Sequence, residues 1–335
     1  MSMAMQNNRR GAVKRLRLLT YSLKTNVDTF RSKMDREFET MFLPNKVELS
    51  EYKYGNINCD ILSPEIYASN RIVLYIHGGC FVGGSRTAYR SFCSSIASKS
   101  FSRVVVPEYR LAPAYQCPAA IDDIQTVFKA LFTEEQIACS LNSEPGKIVL
   151  PEIIIMADGS AASLACSLVF NLRDRYRNCI KHIVLFSPWL DVSPSSYLFT
   201  QKKAVDEVMS ADIIRRSCSE YTYEANTSTP SLSPLLAEDE LLQNFPPVFI
   251  QMGEKEILLE DAKKFRERLI QNGNKCTLDV WPNMMYMFQM ADKFLASSHL
   301  ALDRIGKIVT EYTAGEESVQ IENKPVLEFS LKSES

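Results

Sequence analysis

Five short apolar runs without polar alternation constrain this chain more than anything else in it. They are Ile72–Ile76, Val104–Val106, Ile153–Met156, Ile183–Phe186 and Val248–Met252. A strand with one face in water alternates apolar and polar residues, whereas a strand buried on both faces of a parallel sheet does not. Helix-like stretches lie between the runs, near Ala88–Ser98, Ala119–Leu131, Ser160–Tyr176 and Asp261–Gln271. Parallel neighbours cannot be joined by a hairpin, so this alternation implies βαβ crossovers and an α/β fold with a doubly wound, mostly parallel sheet. An interval at about 190–245, containing the polar stretch Glu224–Ser233, interrupts the alternation and reads as an insertion over one end of the sheet.

The N-terminal segment has a different pattern. Positions 1–27 hold Arg9, Arg10, Lys14, Arg15, Arg17 and Lys24 and no acidic residue. Leu16, Leu19, Leu23, Val27, Phe30, Met34 and Met41 recur at spacings of three, four or seven, which predicts one amphipathic helix or two. Such a helix packs its apolar stripe on its own domain, or lies on an anionic membrane through residues 9–24. The expected division is an N-terminal helical cap over 1–45, a main domain over 46–313 with the insertion inside it, and a polar tail over 314–335.

Composition adds exclusions. The net charge of −2 gives no global reason to expect nucleic acid as a partner. No apolar run reaches the ~18 residues of a membrane span, and the basic N-terminus lacks the apolar core of a signal peptide. The nine cysteines contain no C-x-x-C pair, so neither a zinc site nor a disulfide framework is readable, and no metal or cofactor is expected. Reduced, buried thiols and a cytoplasmic location follow as the expectation.

Ligands bind beyond the carboxyl ends of parallel strands, so the residues after each strand matter most. After the first run comes His77-Gly78-Gly79-Cys80-Phe81, then Gly83-Gly84. Glycines there let backbone N–H groups point into a site, as an oxyanion hole requires. Further on stand Tyr109-Arg110-Leu111-Ala112-Pro113, Pro118-Ala119-Ala120-Ile121-Asp122-Asp123, Ser187-Pro188-Trp189-Leu190-Asp191, Ser233-Pro234-Leu235 and Pro246-Pro247. In this order, over about residues 70–310, the motifs resemble the hormone-sensitive-lipase family of esterases. The resemblance implies an α/β-hydrolase fold with a helical cap, and carboxylic-ester hydrolysis by a Ser–Asp/Glu–His triad.

Each triad position of the resembled family can be read here. The nucleophile elbow G-D-S-A-G is matched by Ala157-Asp158-Gly159-Ser160-Ala161, with Gly159 at the nucleophile position. A glycine accepts the strained angles of the elbow at little cost and leaves space where a hydroxyl would stand. Ser160 is the alternative nucleophile; its plainer role is a helix cap. The histidine position in Pro282-Asn283-Met284-Met285-Tyr286-Met287-Phe288 holds Tyr286, which titrates near ~10 and is no base at neutral pH. His182 precedes a strand at the opposite end of the sheet, and His299 sits in a C-terminal helix. Glu256 takes the acid position, with Glu260 as second carboxylate, and a hydrogen bond from the Tyr286 phenol to Glu256 is expected. The oxyanion donors implied are the N–H groups of Gly78, Gly79 and Ser160. Cys80 replaces a third glycine, and as a nucleophile it would lack a base. The expectation is an inactive or severely impaired member that holds a small acyl or ester ligand. A weak esterase using Ser160, and a membrane-surface or protein-interaction module using the basic helix, are the alternatives.

Overall fold

A computed structural model describes residues 3–39, 43, 46–67, 71–141, 149–200 and 206–311. The strands are β1 Val47–Tyr54, β2 Ile57–Pro64, β3 Arg71–Ile76, β4 Arg103–Pro107, β5 Glu152–Asp158, β6 Ile180–Phe186, β7 Val248–Gly253 and β8 Cys276–Trp281. They form one sheet in the order β1-β2-β4-β3-β5-β6-β7-β8. The contacts β1·β2 and β2·β4 are antiparallel and all the others are parallel. All five apolar runs fall inside strands, and β3 and β7 are buried along their whole length. This is the α/β-hydrolase architecture the motifs imply.

The helices are α1 Met3–Leu16, α2 Val27–Phe38, α3 Arg86–Ser100, α4 Ala119–Leu141, α5 Ala161–Phe170, α6 Asp174–Arg177, α7 Ala211–Tyr221, α8 Asp239–Leu242, α9 Leu259–Gln271 and α10 Ala296–Glu311. Ser85 and Ser210 cap α3 and α7 by accepting from Ala88 N–H and Ile213 N–H. The single helix expected over Ser160–Tyr176 is broken: Asn171 closes α5 and a separate turn begins at Asp174. His182 lies within β6 rather than before it, paired with Ile154. His299 is an exposed residue of α10.

Two helices form at the N-terminus, with Leu16, Leu19, Phe30 and Met34 buried and Leu23 exposed. Met41 and the tail after 311 lie outside the described residues. The segment between α1 and α2 touches the loop after β3, where Cys80 Sγ accepts from Tyr21 N–H and points its hydrogen at Leu19 O. Arg31 donates to the carbonyls of Val82 and Ala112 at 2.7 and 2.9 Å. Arg216 of α7 stacks on the Tyr21 ring at 3.9 Å and donates to the carbonyls of Ser22 and Thr25. The N-terminal segment and α7 of the insertion are therefore in direct contact.

Candidate functional site

β5 ends at Asp158 and α5 begins at Ala161, so Gly159 and Ser160 make the strand-to-helix elbow. Gly159 has φ +52°, the left-handed region that glycine enters without a steric cost. Its N–H donates to Phe186 O and its carbonyl accepts from Trp189 N, both at 3.0 Å. Cys80, Phe81, Ser187 and Met287 also have positive φ. They belong to the loops after β3 and β6 and the segment after β8, so strained backbone gathers around the elbow, as it does at functional sites.

The space expected beside Gly159 is filled. A Cβ built on Gly159 would overlap the Tyr286 hydroxyl oxygen, far inside the 3.0 Å that real Cβ atoms respect. Tyr286 is 2% exposed, and its phenol is raised well above the usual tyrosine value by burial first, then by Cys80, Asp158 and Glu256. The indole N–H of Trp189 approaches the phenol without completing a hydrogen bond. The expected bond from Tyr286 to Glu256 does not form. Glu256 Oε1 accepts from Gly253 N–H at 2.5 Å and Ser187 Oγ–H at 2.9 Å, and Oε2 has no partner. Ser187 Oγ accepts in turn from Met287 N–H at 3.0 Å. A chain of hydrogen bonds thus joins the turns after β7 and β8 through Ser187, not through the phenol.

Ser160 does not cap α5; its backbone is helical and its side chain makes no cap bond. Its Oγ accepts from Phe81 N–H at 3.1 Å, which ties the elbow to the loop after β3. Of the three expected oxyanion donors, Gly78 is committed elsewhere: its N–H donates to Asp158 Oδ1 at 2.8 Å. A Cβ on Gly78 would strike the same carboxylate, so only glycine permits this approach. Gly79 and Ser160 remain of the expected set. Cys80 Sγ accepts from Tyr21 N–H at 3.4 Å and points its own hydrogen at Leu19 O. Burial pushes its thiol up to about 11, which removes the thiolate a nucleophile needs.

Three groups outside the expected set also build the site. Asp158 accepts from Tyr75 and Tyr89 hydroxyls and from Gly78 N–H, each at 2.8 Å. Burial raises its carboxyl to about 6 against the pull of those three donors. Phe81 stacks on Tyr221 at 4.3 Å and meets Trp189 edge-on at 5.7 Å, which lays an aromatic cover over the elbow. Asp206 is raised to about 6 by burial. The first two were signalled by motifs already noted, Asp158 in the elbow and Trp189 in Ser187–Asp191. Asp206 lies in the insertion and carries no such signal. His182, lowered to about 4 by burial, and His299 take no part in this constellation. Among the described residues, no group of three or more His, Cys, Asp or Glu could hold a metal ion.

Residues 73–290 match the family described as alpha/beta hydrolase fold. An esterase of Acinetobacter venetianus is 30% identical over 244 residues, 72% of this chain and 76% of that protein. An acetyl-hydrolase of Streptomyces hygroscopicus is 26% identical over 243 residues, with the same coverage of 72% and 76%. Among solved structures, an esterase from the bacterial hormone-sensitive lipase family superposes with a TM-score of 0.78 at 24% identity, covering 93% of this chain and 98% of that one.

Proposed function

The chain belongs to the α/β-hydrolase family of hormone-sensitive-lipase-like esterases, and from that premise we propose that it is a member without ester-hydrolysing turnover. The observation that carries this reading is the Tyr286 phenol standing against Gly159. The nucleophile position has no side chain, and the histidine position is occupied by a group that fills the vacated place. A hydroxyl with no base beside it is a weak nucleophile, and losing triad members costs on the order of 10⁴–10⁶ in turnover.

The weak-esterase reading through Ser160 meets two obstacles. Its oxygen is occupied by Phe81 N–H, and the side chain is 1% exposed beneath the aromatic cover. The test is hydrolysis of a short-chain aryl ester by the wild type and by Ser160→Ala. We expect background rates from both. Turnover abolished by Ser160→Ala would overturn the reading.

Binding of a small acyl or ester ligand has one supporting observation away from the elbow. A groove of about 450 Å³ in the insertion is lined by Val192, Phe199, Cys218 and Tyr223 together with the charged Arg215 and Glu224, a volume within the range of small-molecule sites. At the elbow itself such a ligand would have to displace Tyr286. The membrane reading of residues 9–24 is weakened by internal use of the same residues, since Arg9 and Arg15 pair with Glu207 and Glu37. No helix among the described residues is long and apolar enough to cross a membrane. We keep the reading of the nine cysteines as reduced thiols in a cytoplasmic protein as part of this proposal.

A further inference from the structure

Two buried polar groups without a partner belong to residues that line one small cavity. It has a volume of about 20 Å³, and its walls include Arg15 of α1, Phe38 of α2, Ser91 and Ser95 of α3, Gln289 and Leu302. Arg15 and Gln289 are 7% and 0% exposed. Arg15 Nε–H and Gln289 Oε1 are sealed from solvent, and neither has a hydrogen-bond partner among the described residues. The rest of the Arg15 head group is engaged. Nη1 donates to Glu37 Oε1 at 3.2 Å, and the guanidinium lies over the Phe38 ring at 4.6 Å.

The Gln289 amide is held in one orientation. Its Nε2 donates to the carbonyl and to Oε1 of Gln251, each at 3.3 Å. Exchanging the two ends of the amide would turn an oxygen against two acceptor oxygens, so the acceptor end is the one left unpartnered. Gln251 is fixed in the same way. Its Nε2 donates to Asp279 Oδ2 at 3.0 Å and to Ala301 O at 3.2 Å. Asp279 also accepts from Trp281 Nε1–H and from Arg304. A run of hydrogen bonds thus leads from α10 and β8 through β7 to Gln289.

We propose that this cavity binds one water molecule, which accepts from Arg15 Nε–H and donates to Gln289 Oε1. A buried water needs about 10–15 Å³ of such space and two to four polar partners, and the cavity offers both. The two groups also select the occupant. Arg15 repels a cation, and an anion meets an acceptor at Gln289, whereas water accepts from the one and donates to the other. Leaving either group dry costs the desolvation of a buried polar atom, and in Arg15 that atom belongs to a charged group. The water carries the run of hydrogen bonds on to Arg15 and Glu37, and so ties α1 and α2 to β7 and β8. Gln289 stands three residues after Tyr286, so the tie reaches the segment that fills the place beside Gly159.

Crystallography of the full chain tests the site directly. At a resolution that places ordered water, one density peak is expected within about 3.2 Å of both Arg15 Nε and Gln289 Oε1. A dry cavity, or Arg15 Nε in direct contact with Gln289 Oε1, overturns the proposal. This measurement needs no variant and does not depend on whether the chain turns over esters.

A double-mutant cycle reads the bridge in solution. Arg15→Met and Gln289→Met keep an apolar side chain of similar length and remove the polar ends. The loss of the Glu37 pair accompanies Arg15→Met in the single and in the double variant, and the loss of the Gln251 bonds accompanies Gln289→Met in the same way, so both cancel in the cycle. What remains is the link through the water. In urea unfolding the double variant should be more stable than the product of the single effects, by at least about fivefold in the unfolding constant. Strict additivity means that the two residues share no bridge, and overturns the proposal.

Discussion

A side chain at 159 and the phenol oxygen of 286 compete for one place, so the two substitutions are physically coupled. Gly159→Ser alone must push Tyr286 into an interior already filled by Trp189 and Cys80, at an overpacking cost of about 1–3 kcal/mol. Tyr286→His alone leaves a void, with a penalty of about 1–3 kcal/mol. Together they relieve each other, and the double variant should be more stable than the sum of the singles by about 1 kcal/mol or more. Urea unfolding of the four proteins measures this coupling; strict additivity would mean that Tyr286 leaves its place without cost. The same four proteins bear on turnover. On the proposed reading only the double variant has both a nucleophile and a base, so its aryl-ester hydrolysis should exceed the combined effect of the singles. A folded double variant no better than its parent would locate the block in the aromatic cover of Phe81, Trp189 and Tyr221 rather than in the triad.

Between the N-terminal segment and α7 most of the polar contact runs through Arg216, beside one hydrogen bond from the Tyr21 hydroxyl to Glu220 at 3.3 Å. Arg216 stacks on Tyr21 and donates to its hydroxyl, and to the carbonyls of Ser22 and Thr25. Arg216→Ala removes the stacking and every one of these bonds, an expected loss of about 2–3 kcal/mol. The loss falls on the segment rather than the sheet, so trypsin should cut near Lys14, Arg17 or Lys24 faster than it cuts the wild type, before global unfolding. An unchanged cleavage pattern would mean that the remaining contacts, Arg31 to Val82, Arg9 and Arg17 to Glu207 and Tyr21 to Cys80, hold the segment without Arg216. Arg216→Lys should restore little, because a lysine has no planar fork to span several acceptors. This device was not legible in the sequence, where Tyr21 and Arg216 are separate residues with no shared motif. The interior strands were legible because burial on both faces writes a continuous apolar run. β1 and β8 were not, since they form the sheet's edges: β1 exposes much of its length and β8 is mostly half-buried, so neither writes a continuous apolar run. β2 hides behind Asp60, a buried carboxylate answered by Arg86 and Arg90, which interrupts its apolar run. The same division holds at the site. Gly159 and Tyr286 stand out because each departs from the motif of the resembled family, yet their contact joins segments distant in sequence, which no spacing reveals.

Across the whole molecule the distribution of charge decides what residues 9–24 can do. Membrane association through an amphipathic helix needs an apolar face for the lipid and cations free for headgroups. Leu16 and Leu19 are buried in the domain, and Leu23 is the one residue of their stripe on display between them and Val27. Arg9 and Arg15 are paired with Glu207 and Glu37, and Arg17 donates to the Glu207 carbonyl. Arg10, Lys14 and Lys24 remain exposed. At about 1 kcal/mol per cation near an anionic surface, three give about 3 kcal/mol. That is weaker than millimolar binding, and the chain's net charge of −2 opposes it. In flotation with phosphatidylserine-containing vesicles the protein should therefore stay in the aqueous fraction at physiological salt. Any recovery with vesicles at low salt should vanish as salt is raised, because exposed charges are screened beyond about 8 Å at physiological ionic strength. Flotation that survives high salt would require an apolar face on the lipid. The stripe would then have to leave the domain, breaking Arg9 from Glu207 and Arg31 from Val82, and a gain in trypsin sensitivity on vesicles would report that release.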